Sequence, residues 1–371
     1  MKFSCEKEHL QNAIVTASRA IASKSPIPAL EGLLVSAEPE GVKVTGFDLK
    51  KGIYTTIEAD IEECGSIVLS AKLFGEMIRR IPDGIVYVEA DEKQLSVKVK
   101  CAQSEYNFIG MSTEEFPELP SVDGVNHIVL PQPILKNMIN KSLFAVSDSE
   151  VRPVYTGILF EIEGHLLTLV AVDGYRLAKR CETIENGKLQ NCTFIVPGNT
   201  LSDIERICSD EDGEVEIAVG QKHISFVIGN TVVVSRRLEG DFLNYRKSLP
   251  DKFAVTLKVN RADFMSAIER VSIIVSEKNT NPVRMKLDDG KINLLCLTPI
   301  GRADDMCFCE GSGNMEIGFN SRYLMDALKA ATDDELLINL NSPSSPCVIC
   351  ATDRNESYRY MILPVRLRAD G

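Results

Sequence analysis

The chain has 371 residues, 44% of them hydrophobic and 25% charged, which are ordinary globular values and set aside the disordered and fibrous classes. No apolar stretch approaches the roughly 18 residues of a membrane span, and the opening Met1-Lys-Phe-Ser-Cys-Glu-Lys-Glu-His-Leu10 lacks the apolar core of an export signal, so the cytoplasm is the expected compartment. A net charge of −12 argues against a general basic surplus for holding nucleic acid, unless the cations are gathered in one place.

In chain order, the strand-like run Lys2-Phe3-Ser4-Cys5 precedes Leu10, Ala13, Ile14 and Ala17, whose i, i+3, i+4, i+7 spacing predicts an amphipathic helix. A second helix is predicted over Ser70-Ala-Lys-Leu-Phe-Gly-Glu-Met-Ile78, with Phe74 on its apolar face. Ile85-Val-Tyr-Val-Glu-Ala and Gln94-Leu-Ser-Val-Lys-Val then alternate as strands do, and Phe116-Pro-Glu-Leu-Pro120 closes the segment. The order then repeats. His127-Ile-Val-Leu130 precedes a helix with Leu135, Met138, Ile139 and Ser142 on one face, and Pro197-Gly-Asn-Thr-Leu-Ser-Asp-Ile204 is the second helix. Glu214-Val-Glu-Ile-Ala-Val and His223-Ile-Ser-Phe-Val-Ile are strands, and Phe242-Leu-Asn-Tyr-Arg-Lys-Ser-Leu-Pro250 closes. A third copy runs from Ala254-Val-Thr-Leu257 through Phe264, Ala267, Ile268 and Val271 to Asn320-Ser-Arg-Tyr-Leu-Met-Asp-Ala-Leu328 and Leu336-Leu-Ile-Asn-Leu340.

The repeat is about 125 residues long, the size of whole domains and not of a solenoid unit. Three tandem domains are therefore expected, over 1–121, 122–250 and 251–371. Each holds about two helices and many short strands, an α+β plan of antiparallel sheets backed by a helix pair.

Eleven cysteines form an odd, irregularly spaced set that favours reduced thiols. Cys347-Val-Ile-Cys350 matches C-x-x-C but lies in an apolar run with no second ligand pair at zinc spacing, so a strand is expected there. His9, His127, His165 and His223 are scattered, and no Gly-rich phosphate loop, zinc-protease motif or nucleophile elbow is present. No catalytic residue, cofactor or metal is expected.

Several segments resemble the bacterial replicative sliding clamps: the opening Met1-Lys-Phe, Val172-Asp-Gly-Tyr-Arg-Leu-Ala178, Leu238-Glu-Gly-Asp-Phe-Leu-Asn-Tyr-Arg246 and Tyr360-Met-Ile-Leu-Pro-Val-Arg-Leu367, in this order on a triplicated chain. The resemblance implies a head-to-tail homodimeric ring that encircles duplex DNA without sequence specificity and tethers other proteins. These are the DNA polymerase III alpha subunit, the clamp loader and other carriers of a clamp-binding motif. A peptide cleft between the middle and last domains is implied at Tyr155, Val172, Gly174, Tyr175, Arg176, Leu177, Leu243, Lys247, Met361, Leu363, Pro364, Val365 and Arg366. Arg176 and Arg366 are expected to hold peptide backbone or an acidic flank, and Gly174 to permit close approach. Tyr175 stands where relatives commonly carry His, and Leu243 where they commonly carry Pro. Arg368-Ala-Asp-Gly371 follows the last family motif and is assigned no role.

The six predicted helical segments carry six more positive than negative charges, which leaves the rest of the chain, at −12 overall, with a surplus of eighteen negative charges. If the helices line a central hole as the resemblance implies, phosphates meet Lys7, Arg19, Lys24, Lys72, Arg79, Arg80, Lys136 and Lys141. Twelve helices from two copies, at roughly 10 Å between axes, form a circle about 38 Å across. Subtracting a helix diameter of about 10–12 Å leaves a hole of about 27 Å for a duplex of about 20 Å. Closure is implied to pack Tyr106 and Phe108 of one copy against Ile274 and Val275 of the other.

Overall fold

The computed structural model describes residues 1–122, 126–184, 191–275, 282–352 and 357–367. The segment Arg368 to Gly371 lies outside the described residues. The chain gathers into two compact units, Met1–Lys136 with Asp203–Arg237, and Asn137–Ser202 with Leu238–Gly371. The middle repeat therefore gives secondary structure to both units.

Seven helices are described: α1 (Lys7–Ala17), α2 (Ala71–Arg80), α3 (Gln132–Leu143), α4 (Gly198–Ile207), the one-turn α5 (Tyr245–Ser248), α6 (Arg261–Ser272) and α7 (Ser321–Ala330). Their apolar faces are the ones periodicity assigns. Leu10, Ala13, Ile14 and Ala17 are buried on α1, as are Phe264, Ala267, Ile268 and Val271 on α6. On α3, Leu135, Met138, Ile139 and Ser142 are all buried. Side-chain caps fix where several helices begin: Ser70 accepts from the Leu73 amide, Asn260 from Asp263, and Asn320 from Arg322.

In the first unit, a five-stranded sheet runs in the order Asp60–Glu63, Lys2–Glu6, Ile85–Asp91, Ser96–Cys101, Ser104–Ile109. Its alternation (Ile85 and Tyr87 out, Val86 and Val88 in) seats α1 and α2 over one shared core. An eight-stranded sheet then crosses the repeats, because Thr231–Arg236 pairs antiparallel with Lys51–Ile57, Val233 opposite Ile53. Close by, Asp203 of α4 takes the Lys51 ammonium, with Arg19 at 3.6 Å.

The second unit carries a twelve-stranded sheet. Its join between middle and third repeats is Arg176–Thr183 against Tyr358–Ile362, with Leu177 opposite Met361 and Arg176 opposite Ile362. Such registers are antiparallel throughout, as the α+β expectation requires.

Cys347 and Cys350 lie on the strand Cys347–Ala351. Three residues apart on a strand they face opposite sides of the sheet, so they neither pair nor converge on an ion. All eleven cysteines are free thiols. Burial pushes the Cys5 and Cys208 thiols up to about 12, where the reactive thiolate is scarce at neutral pH. A thiol reagent at pH 8 is expected to modify the exposed Cys64 first, and Cys5, Cys208, Cys296 and Cys347 only after denaturation. Time-resolved thiol titration of the native chain and its Cys64→Ser variant checks this, since the variant should lose the fast phase.

Candidate functional site

The hairpin between Leu166–Val172 and Arg176–Thr183 is the keystone of the cleft. Asp173 Oδ1 accepts from the Tyr175 and Arg176 amides (2.8 and 2.9 Å), which closes the turn. Gly174 sits at φ +96°, where an L side chain is strained, yet a Cβ there would meet nothing within 4 Å. Its positive φ is what the turn requires of it.

The hairpin register then delivers the C-terminal segment. Met361 lies opposite Leu177, and beyond the strand the Leu363 amide donates to the Tyr175 carbonyl at 2.8 Å. Val365 bridges to Gly318, its amide donating to the Gly318 carbonyl at 2.8 Å. A Cβ on Gly318 would strike Leu367 Cδ2 at 2.5 Å, so here glycine does serve a close approach.

Val172, Leu177, Met361 and Val348 are buried in one apolar cluster with Tyr245 and Leu249, and Tyr155, Phe242, Leu243 and Leu363 pack on it half-buried. Tyr155 meets Phe242 edge to face, ring centroids 5.6 Å apart. The result is an apolar floor with a half-covered apolar rim, the form of surface that gains most from an inserted Leu or Phe. Pro364 is half-buried beside it, while Lys247, Val365 and Arg366 are exposed.

Arg176 is held by partners within the chain. It is 9% exposed, its Nε donates to Asp173 at 2.9 Å and its Nη1 to Asp326 at 2.5 Å, and the guanidinium lies 4.6 Å from the Tyr323 ring centroid. Two carboxylates hold its Nε and Nη1, which fixes the side chain in place. Tyr175, 61% exposed, stacks on Tyr323 at 6.0 Å and 24°. Arg246 is committed in the same way to Glu161 and Glu163, and Arg152 sits 5.6 Å from the Tyr155 ring centroid. Sequence reasoning missed Tyr323, Asp326, Phe242 and Arg152. Phe242 lay inside the motif already singled out, whereas Tyr323 and Asp326 carry no local signal beyond a place off the apolar face of α7.

The cations expected to face phosphate divide into three groups. Lys24 and Lys72 are exposed, and Arg79 and Arg80 are exposed on α2 while sharing Glu76 at 2.7 and 3.2 Å, one carboxylate for two guanidiniums. The Arg79 hydrogen bond, with Arg80 beside it, holds the Glu76 carboxyl below the usual range. Lys7 pairs with Asp83 at 2.9 Å, Lys136 with Asp210 at 2.8 Å, and Arg19 approaches Asp203 at 3.6 Å; of these acids Asp83 and Asp210 are open to water, so those two pairs are weak and exchangeable. Lys141 is a correction. It is 7% exposed, donates to Thr332 Oγ1 at 2.9 Å and lies 4.7 Å from the Tyr358 ring centroid, so its charge is spent inside the protein.

The sheet edges are also visible in each unit. Ser104–Ile109 pairs within the chain on one side only, with Tyr106 and Phe108 half-buried on their own core and Ile109 79% exposed. In the second unit, Ile273 after α6 is 80% exposed and Ile274 and Val275 are half-buried. Gly301–Glu310 pairs with Val255–Asn260 only at Cys309 and Glu310, which leaves one side of residues 301–308 open within the chain. Among the described residues no group of His, Cys, Asp or Glu is placed to hold a metal ion.

Comparison with known proteins places this geometry. Residues 1–120, 129–244 and 246–366 match, in turn, the N-terminal, central and C-terminal domains of the DNA polymerase III beta subunit. The beta sliding clamp of Staphylococcus epidermidis is 32% identical over 381 residues, covering 99% of each chain. The DNA polymerase sliding clamp of Bacillus subtilis superposes with a TM-score of 0.95 at 29% identity, over 99% of this chain and 100% of that one. A putative DNA polymerase III beta subunit from Eubacterium rectale gives 0.93 at 32% identity, over 98% and 99%.

The two kinds of ion pair predict different costs. Asp326→Asn leaves a nearly buried guanidinium half-compensated and is expected to lower stability by about 1–3 kcal/mol in urea denaturation. Glu76→Gln, on an exposed pair, is expected to leave the melting temperature unchanged.

Proposed function

The chain belongs to the family of the bacterial DNA polymerase III beta subunit, the replicative sliding clamp, and we propose that it serves as the processivity factor of a replicase. It is not an enzyme: it supplies a closed track on which catalytic proteins ride. Two copies join head to tail through the open edges of the first and third modules, and the ring encircles duplex DNA. Tyr106 and Phe108 on one side and Ile274 and Val275 on the other supply the apolar part of that seam. Lys24, Lys72, Arg79 and Arg80 meet the phosphates through solvent, which carries no sequence information and so permits sliding. The work is done at the chromosome, in the cytoplasm.

The cleft holds the partners. Tyr155, Val172, Leu177, Leu243, Met361 and Leu363 receive apolar side chains of a short linear segment from the polymerase alpha subunit, the clamp loader or another motif-bearing protein. The observation that carries the whole reading is that three consecutive stretches of one chain match the three domains of the family in order, over nearly its full length.

In solution the mass should be twice 41.0 kDa. Loaded onto nicked circular DNA, the protein should persist for many minutes and leave quickly once the circle is cut. Equal retention on circle and line would remove the ring. Leu363→Asp should abolish capture of an apolar peptide while retention on the circle stays intact, which separates the tether from the track.

A further inference from the structure

The cleft wall is backed by a run of ring and cation contacts drawn from both the middle and third modules. Tyr175 stacks on Tyr323, the Arg176 guanidinium lies 4.6 Å from the Tyr323 centroid and 5.5 Å from that of Phe144, and Phe144 meets Tyr360 edge to face at 5.0 Å. Tyr360 in turn stacks on Tyr358 at 4.8 Å, and Lys141 lies beyond it. Phe144 follows the last residue of α3, so this one ring links α3 to the cleft. Asp173 and Asp326 hold the guanidinium nitrogens, and the Tyr323 and Phe144 rings pack against the group as well.

We propose that Phe144 is a positioning residue for peptide capture. It acts through Arg176, whose place sets the Tyr175–Tyr323 wall and the carbonyl of Tyr175 on which Leu363 hangs. Without the ring, Arg176 loses one of the two aromatic rings it lies against, and the exposed Tyr175 loses part of the support behind its wall. The hydroxyl of Tyr360 takes no part, being buried with no hydrogen-bond partner among the described residues, so the packing of that ring and not its polarity serves the wall. The inference rests on the cleft reading given above.

The test uses the full-length dimer and a fluorescein-labelled octapeptide carrying a Leu-Phe pair, read by polarisation. Phe144→Leu fills nearly the same space without a ring and should weaken binding about tenfold, the scale of one lost ring–cation contact. Phe144→Tyr and Tyr360→Phe, which keep the ring faces, should bind within about twofold of the parent. Dimer mass and melting temperature are measured for each variant. The proposal is supported if Phe144→Leu loses affinity at unchanged melting temperature and Phe144→Tyr regains it. It is overturned if Phe144→Leu binds as the parent does, or if affinity falls only in step with melting. If the parent itself fails to bind the octapeptide, the cleft reading falls and takes this inference with it, an outcome distinct from the other two.

Discussion

A strand at the edge of a sheet carries a row of unpaired amide and carbonyl groups, and satisfying them is the constraint on which this molecule is built. Each repeat would end in such edges if it folded alone. Here the first and middle repeats pair Lys51–Ile57 with Thr231–Arg236, and the middle and third pair Arg176–Thr183 with Tyr358–Ile362. The joints are thus continuous ladders and not mere side-chain contacts, which explains why contact density divides the chain through the middle repeat and not between repeats. Among the described residues, Ser104–Ile109 and residues 301–308 each keep one side of the strand unpaired, and on the reading proposed above these are the edges that a second copy would meet.

The same pairing makes the cleft. Because Leu177 is opposite Met361, residues nearly two hundred positions apart share one apolar floor, and the turn at Asp173–Arg176 and the run after Ile362 become neighbours without any loop having to find the other. A binding site placed on ladder register is positioned by many backbone hydrogen bonds at once, so its geometry is as stiff as the sheet. The charged groups nearby have been spent on that stiffness: Arg176 on Asp173 and Asp326, Arg246 on Glu161 and Glu163.

What the sequence revealed follows the range of each interaction. The buried faces of α1, α3 and α6 were legible because 3.6-residue periodicity is written within one segment, whereas Val172, Leu177 and Leu363 were singled out only through resemblance to the clamp family. Lys141 was misjudged for the opposite reason. On α3 alone it reads as one more cation, and only Thr332 and Tyr358, supplied by a distant repeat, draw it inside. Arg176 was likewise placed without its partners in view, since its second carboxylate, Asp326, sits on α7. Gly174 was found, but the turn conformation that it adopts was not, because a positive φ and a close approach leave the same letter in the sequence. The shared ladders themselves left no local trace: an edge strand reads the same whether its partner is its own repeat, the next one or another molecule.

A site with an apolar floor and rim gains its affinity mainly from apolar burial, and on the reading proposed above that sets the strength of what it holds. Each fully buried Leu or Phe contributes about 1.5–3 kcal/mol, and two or three anchors together offset an association cost of at least about 4 kcal/mol by only a modest margin. A free peptide is therefore held in the micromolar range or more weakly, since micromolar affinity corresponds to about 8 kcal/mol. For the tether proposed above, weak single contacts are what allow one partner to be exchanged for another. A partner that also touches the encircled DNA, or that reaches the second cleft of the dimer, binds its second contact at high effective concentration and stays. Persistence on DNA and turnover of partners are thus set by separate physics, closure of backbone edges for the first and shallow apolar burial for the second.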